Sequence, residues 1–309
     1  MPSSKSAKTP SPSLPEPIWH WSFPAIGTQW WIGLYKMPTI STAELQQQIM
    51  RLIDEFDDTY SRFRAGSLVS RMAEKAGTYA LPANAALLLT FYTQLYTATN
   101  GAVTPLVGQL LSDAGYDANY SLKAKQRLQA VPKWDAAMEF KVDKLTLHQP
   151  ALLDFGAAGK GYLVDLVSQL LVEQGVTQFC VDAGGDMYCT GMPAPLKVGL
   201  ENPDDISEAI GVANLHNQAL CGSAPNRRAW GVYHHIMNPT TLASTQGLKA
   251  TWVTASSAML ADGLATALFF VEPEALKAQF SFEYALVYAD SSLRYSPDFP
   301  AEFFSQGNV

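Results

Sequence analysis

Residues 153–186, LDFGAAGKGYLVDLVSQLLVEQGVTQFCVDAGGD, decide how the chain is read. Their pattern predicts a short strand, a glycine-rich turn, an amphipathic helix, a second strand and a second glycine-rich turn. Leu163, Leu166, Val167, Leu170 and Leu171 form one apolar stripe, and Gly175 is placed to end the helix. The helix N-terminus points its free N–H groups and positive dipole end back into the first turn, where an anion is stabilised. Asp154, Lys160 and Asp186 sit at or beside the two turns. The segment is not a P-loop, because Asp154 and Gly161 occupy the places of that motif's first Gly and its Ser or Thr. Nor is it a dinucleotide fingerprint, because Val164 stands where a third Gly or an Ala belongs.

Around this segment the chain reads as α+β. Trp19 to Tyr35 is aromatic and alternating, a strand or hairpin broken at Pro24 and Gly27. Ser41-Thr42-Ala43-Glu44 is a capping box, followed by Leu45, Ile49, Leu52, Ile53 and Phe56 at helical spacing. Arg62, Arg64 and Arg71 lie close together; three arginines could face a phosphate, but a solvated surface is the commoner case. Asn84 to Thr99 predicts a second helix, closed by Asn100-Gly101. Residues 117–150 are polar and irregular and end in a hairpin-like KVDKLTLH. Strands are expected near 196–200, 211–215, 218–221, 252–255 and 284–289. His234 and His235 are adjacent, so on a strand they point to opposite faces and do not make a paired metal site.

The segment SSAMLADGLATALFFV, 256–271, predicts a helix. Asp262 and Thr266 are four apart and share one face of it. Two readings stay open. Their oxygens suit Mg²⁺, or the Asp caps a neighbouring loop while the Thr bonds back to its own helix.

Composition narrows the function classes. A net charge of -7 without a basic cluster argues against a nucleic-acid surface. Three cysteines, Cys180, Cys189 and Cys221, are too few and scattered for a disulfide framework or zinc site, and small buried thiols are expected. No stretch approaches the ~20 apolar residues of a membrane span. MPSSKSAKTPSPSLPEP predicts a disordered tail over 1–17, with a single domain over 18–309. That tail lacks an apolar core and a lipid-accepting Cys, so a cytoplasmic protein is expected, the alternative being an exported one whose leader is absent.

The motifs IGTQW (26–30), SRFRAGSLVSRM (61–72), GAVTP (101–105), LDFGAAGKGYLVD (153–165), VDAGGD (181–186), HHIMNP (234–239) and ADGLATAL (261–268) follow one another in an order that resembles the ApbE family of FAD:protein FMN transferases. The resemblance implies an ApbE-like, T-fold-related architecture of antiparallel sheets packed with helices. It also implies a Mg²⁺-dependent enzyme that moves the FMN part of FAD to a Ser or Thr of an acceptor flavoprotein and releases AMP. Carried onto this sequence, Asp262 and Thr266 ligate Mg²⁺ by side chain and Ala157 by its carbonyl. Asp154 and Lys160 line the FAD site. His235 lies near the diphosphate, with Ile236 along the cofactor, and Asp262 and His235 are the expected catalytic residues. Ile26, Phe63 and the Ala102-Val103-Thr104 loop flank the flavin or adenine.

The chain departs from the family pattern on the flavin side. Ala102-Val103-Thr104-Pro105-Leu106 lacks the Asp common in that loop, and Cys221-Gly222 replaces Ser-Gly. Phe63 stands where Tyr is usual, Asn238 replaces Asp, and Thr240-Thr241-Leu242 occupies the place of a segment ending in Thr-Gly. The metal blocks are intact. These changes keep two alternatives in view: a degenerate FAD-binding protein without transfer activity, and a Mg²⁺-dependent FAD pyrophosphatase.

Overall fold

The computed structural model describes residues 16–141 and 143–304, so most of the expected 1–17 tail lies outside the described residues. Its frame is an eight-stranded sheet: β1 (Trp19–Ala25), β2 (Thr28–Leu34), β3 (Phe179–Ala183), β4 (Asp186–Thr190), β5 (Gln218–Ser223), β6 (Leu248–Ala255), β7 (Glu283–Tyr288) and β8 (Leu293–Tyr295). The spatial order equals the chain order, and every neighbouring pair is antiparallel. The fold is therefore α+β, built on antiparallel strands.

Alternation along the strands buries both faces of the sheet. On β5, Ala219 and Cys221 enter one core while Leu220 enters another; on β6, Val253 and Ala255 face the first while Ala250 and Trp252 face the second. Helices cover the first face: α1 (Thr42–Tyr60), α2 (Ala85–Ala98), α3 (Gly159–Glu173) and α4 (Ala258–Ala267). A three-stranded sheet of Leu196–Glu201, Ala209–Leu215 and Ala301–Phe303 covers the second.

Local chemistry sets the helix ends. Ser41 accepts from the Glu44 N–H at 3.2 Å, as the capping box predicts. Gly175, at φ 80°, closes α3 with its N–H on the Val172 carbonyl. Of the expected stripe, Leu163, Val167 and Leu171 are buried and Leu166 and Leu170 half-buried, while Tyr162, Val164 and Ser168 are buried as well. The helix is gripped by the sheet on one side and by α1 and α4 on others.

Several expectations need correction. Pro24 does not break its strand: β1 runs through it, since β1 is an edge strand and a missing N–H costs nothing there. The expected strand before Gly156 is absent; 151–155 forms no regular element and is tied to the 105 region by the Asp154 N–H on the Pro105 carbonyl. Cys180 and Cys189 are not thiols but are bonded to each other, because the β3–β4 hairpin sets them in register. Cys221 is the buried free cysteine. The hairpin in KVDKLTLH forms from Met138–Lys141 and Lys144–Leu147.

A candidate active site between the sheet and the 102–123 segment

A cavity of about 1550 Å³ opens beside the ends of β3, β4 and β5. Ile26, Phe63, Ala102, Val103, Thr104, Asp154, Ala157, Lys160, His235, Ile236, Asp262 and Thr266 all line it. Residues spread over more than two hundred positions of sequence therefore meet at one place.

At its centre α3 and α4 touch. Gly161 permits this: a Cβ there would lie 2.1 Å from the Ala258 carbonyl oxygen and 2.8 Å from the Asp262 Cβ. The close approach lets the Gly161 N–H donate to Asp262 Oδ2 at 2.9 Å. Asp165, one turn further along α3, caps α4 by accepting from the Ala258 and Met259 N–H groups at 2.8 and 2.9 Å. Thr266 donates to the Ala157 carbonyl at 3.4 Å and lies 3.4 Å from the Ser223 hydroxyl. The hydroxyl thus reaches the 157 loop rather than bonding back to its own helix, and Asp262 faces α3 rather than a loop. Among the described residues, no three His, Cys, Asp or Glu side chains are grouped as a metal site. The oxygens that meet here come from a carbonyl, a hydroxyl and one carboxylate.

The electrostatics are concentrated. Lys160 pairs with Asp186 and lies 3.7 Å from Asp262 Oδ1. Burial opposes its charge, but Asp186 and then Asp262 outweigh burial and push Lys160 above its ordinary value. Burial, with Asp186 adding to it, raises Asp262 well above the usual carboxylate range. Asp186 Oδ1 is buried without a partner. His235 is pushed down to about 3, mainly by burial and then by Arg228, and its Nδ1 is buried without a partner. His234 serves structure: its Nε2 meets the Thr245 carbonyl at 2.7 Å, and Nδ1 accepts from the Ile236 N–H at 3.2 Å.

Arg62 departs from the solvated-surface expectation for the three arginines. It is 5% exposed, pairs with Asp154 and donates to the Tyr116 carbonyl at 2.7 Å. Asp154 also accepts from the Gly156 N–H at 2.7 Å, so one carboxylate ties the arginine to the glycine turn. Arg64, by contrast, is the expected surface group, paired with Asp54, Asp57 and Asp58. Tyr116, Tyr120, Arg228 and Trp230 also line the cavity and were not singled out. Thr104, an expected contact, uses its hydroxyl to accept from the Leu106 N–H and cap its own turn.

The family model described as the ApbE family matches residues 26–285. The chain belongs to the ApbE family. A FAD:protein FMN transferase from Vibrio cholerae is 26% identical over 277 residues, covering 82% of each chain. One from Escherichia coli K12 is 24% identical over 276 residues, covering 82% of this chain and 78% of the relative. Among solved structures, the flavin transferase ApbE of Vibrio cholerae superposes with a TM-score of 0.75 at 24% identity, covering 91% of this chain and 97% of that one. The ApbE protein of Thermotoga maritima gives a TM-score of 0.80 at 20% identity, covering 92% and 99%. These superpositions show a shared ApbE fold. Two departures of this ApbE chain have a local account. Asn238 Oδ1 accepts from the N–H groups of Thr240 and Thr241, a turn role that Asp also fills. Leu242, at the place of the usual Gly, holds φ 57°, a left-handed conformation that glycine takes freely.

Proposed function

We propose that the protein is a Mg²⁺-dependent FAD:protein FMN transferase that attaches FMN to a Ser or Thr hydroxyl of an acceptor flavoprotein and releases AMP. The observation that carries the reading is the meeting of the Ala157 carbonyl, the Thr266 hydroxyl and the α4 face bearing Asp262 in a cavity large enough for a dinucleotide. The fit to the ion rests on the donors: all are oxygens, as a hard divalent cation requires. Ala157, Asp262 and Thr266 would hold it. When bound, the ion neutralises diphosphate charge and polarises the phosphorus–oxygen bond that breaks.

The chain's own groups supply the rest. In the displacement, the acceptor oxygen bonds to the FMN-side phosphorus, the bridging oxygen leaves on AMP, and the hydroxyl proton passes to water. Such a reaction is accelerated chiefly by positioning and fixed charge. Lys160, held charged by Asp186 and Asp262, offers an ammonium to the phosphates. His235 is neutral at working pH and keeps a free ring nitrogen; with so low a pKa it is a weak base, suited to holding a hydrogen bond at the diphosphate rather than to removing a proton. Asp154, fixed by Arg62 and Gly156, shapes the turn that presents Ala157.

The test is incubation with FAD, Mg²⁺ and an acceptor flavoprotein, read by in-gel flavin fluorescence of the acceptor. Wild type labels the acceptor, and Asp262→Ala does not. An Asp262→Ala protein of full activity would remove that residue from the site. FAD consumption with a dark acceptor would point instead to hydrolysis.

A further inference from the structure

The 117–125 segment projects from a buried anchor. Asp113, fully buried, accepts from Lys125 Nζ at 2.8 Å and from the Gln129 N–H at 3.1 Å. Asp117 organises the turn above it by accepting from the N–H groups of Asn119 and Ser121. Within this frame Tyr120 and Leu122 take φ 51° and 52°. Side chains with a Cβ pay about 1–2 kcal/mol for that conformation, so the surrounding bonds hold Tyr120 where it is.

Tyr120 is thereby placed at the cavity. Its ring stacks on Phe63 with centroids 5.1 Å apart and planes 15° from parallel, and it lies nearly at right angles to Tyr116 with centroids 5.4 Å apart. The Arg62 guanidinium lies 4.1 Å from the Phe63 centroid. Phe63 thus already carries a ring and a cation, and a 5.1 Å spacing leaves no slot for a third ring between the two aromatics. Tyr120 is 51% exposed and lines the cavity. Its hydroxyl lies 3.9 Å from where a Cβ on Gly27 would stand, so the tip of the ring reaches the Ile26–Gly27 turn.

We propose that Tyr120 is the stacking face for a planar heteroaromatic ring of the bound dinucleotide, with Phe63 as its backing rather than as the contact. The inference rests on the reading of the cavity as an FAD site and names the residue that grips one of its rings. Because Phe63, Tyr116 and the loop hydrogen bonds already fix the Tyr120 plane, binding a ring against it sacrifices little side-chain freedom. The phenol face is also electron-rich, which suits an electron-poor flavin.

The experiment titrates wild type, Tyr120→Phe, Tyr120→Ala and Phe63→Leu with FAD, FMN and ADP in the presence of Mg²⁺, reading affinity and flavin fluorescence, with thermal midpoints as the folding control. Tyr120→Phe binds FAD as wild type does. Tyr120→Ala binds about ten-fold more weakly or worse, and Phe63→Leu loses less. A loss seen with FMN but not ADP assigns the stacked ring to the flavin, with flavin quenching reduced in step; the converse assigns adenine. Wild-type affinity for all three ligands in Tyr120→Ala overturns the inference alone, as does a larger loss in Phe63→Leu than in Tyr120→Ala. Wild type that fails to bind FAD overturns the site reading and this inference together.

Discussion

Gly161→Ala tests the joint on which the site is built. The added Cβ would stand 2.1 Å from the Ala258 carbonyl oxygen, 2.5 Å from its carbon and 2.8 Å from Asp262 Cβ. Two of these neighbours are backbone, so no side chain can swing away; α3 and α4 must part by roughly 1 Å to reach ordinary contact. Overpacking of this kind costs about 1–3 kcal/mol. The same displacement stretches the 2.9 Å bond from the Gly161 N–H to Asp262, and leaving that buried carboxyl oxygen unsatisfied costs about 1–3 kcal/mol. Alanine's better helix propensity returns at most about 1 kcal/mol. The expected net loss is about 2–4 kcal/mol. Gly159→Ala is the internal control. Its Cβ would meet Phe155 Cβ at 3.6 Å and Phe56 Cζ at 3.7 Å, which is ordinary contact, so that change is neutral or stabilising by up to about 1 kcal/mol. Urea unfolding of both variants reads the difference as a shift of midpoint at unchanged slope. Gly161→Ala should also weaken Mg²⁺-dependent FAD binding, since it moves Asp262 and Thr266 relative to Ala157. A Gly161→Ala protein as stable as Gly159→Ala would refute the close approach of the two helices.

Two further outcomes follow from buried charge. Arg62→Met leaves the Asp154 carboxylate, 12% exposed, without its cation, and should destabilise by about 3–5 kcal/mol; the double variant with Asp154→Asn should recover part of that loss in thermal unfolding, and full additivity of the two changes would contradict the pairing. His235 has a folded pKa of about 3 against 6.5 when unfolded, so the unfolded chain binds the extra proton and stability falls as pH drops through that window. The wild type should therefore lose up to about 1.4 kcal/mol per pH unit more than His235→Asn between about pH 6 and pH 4; parallel stability–pH curves would show that His235 is not buried neutral.

What was legible in the sequence was local. The Ser41 cap, the Gly175 stop and the Asp262/Thr266 spacing are each written within a few residues, and each is found in the fold. The order of the motif blocks brought all the expected site residues to one cavity. What escaped was set by partners far away in sequence. Arg62 reads as one of three surface arginines until Asp154, ninety-two positions on, is placed beside it. Gly161 reads as part of a glycine-rich turn, but its need for no side chain comes from Ala258 and Asp262 on another helix. Cys180 and Cys189 looked scattered because only strand register makes them neighbours. Tyr116 and Tyr120 sit at the edge of a polar, aperiodic stretch, where no repeat of hydrophobicity marks a residue as facing a cavity. Pro24 shows the converse: a residue that reads as a breaker is harmless at a sheet edge, and edge position is a property of the whole sheet.

The most direct measurement is the intact mass of an acceptor flavoprotein after incubation with the protein, FAD and Mg²⁺, with AMP counted in the same reaction. The expected result is an acceptor heavier by one FMN less one water, one AMP released per acceptor modified, and neither product when Mg²⁺ is chelated. AMP with free FMN and an acceptor of unchanged mass, or modification that proceeds without a divalent ion, would contradict it.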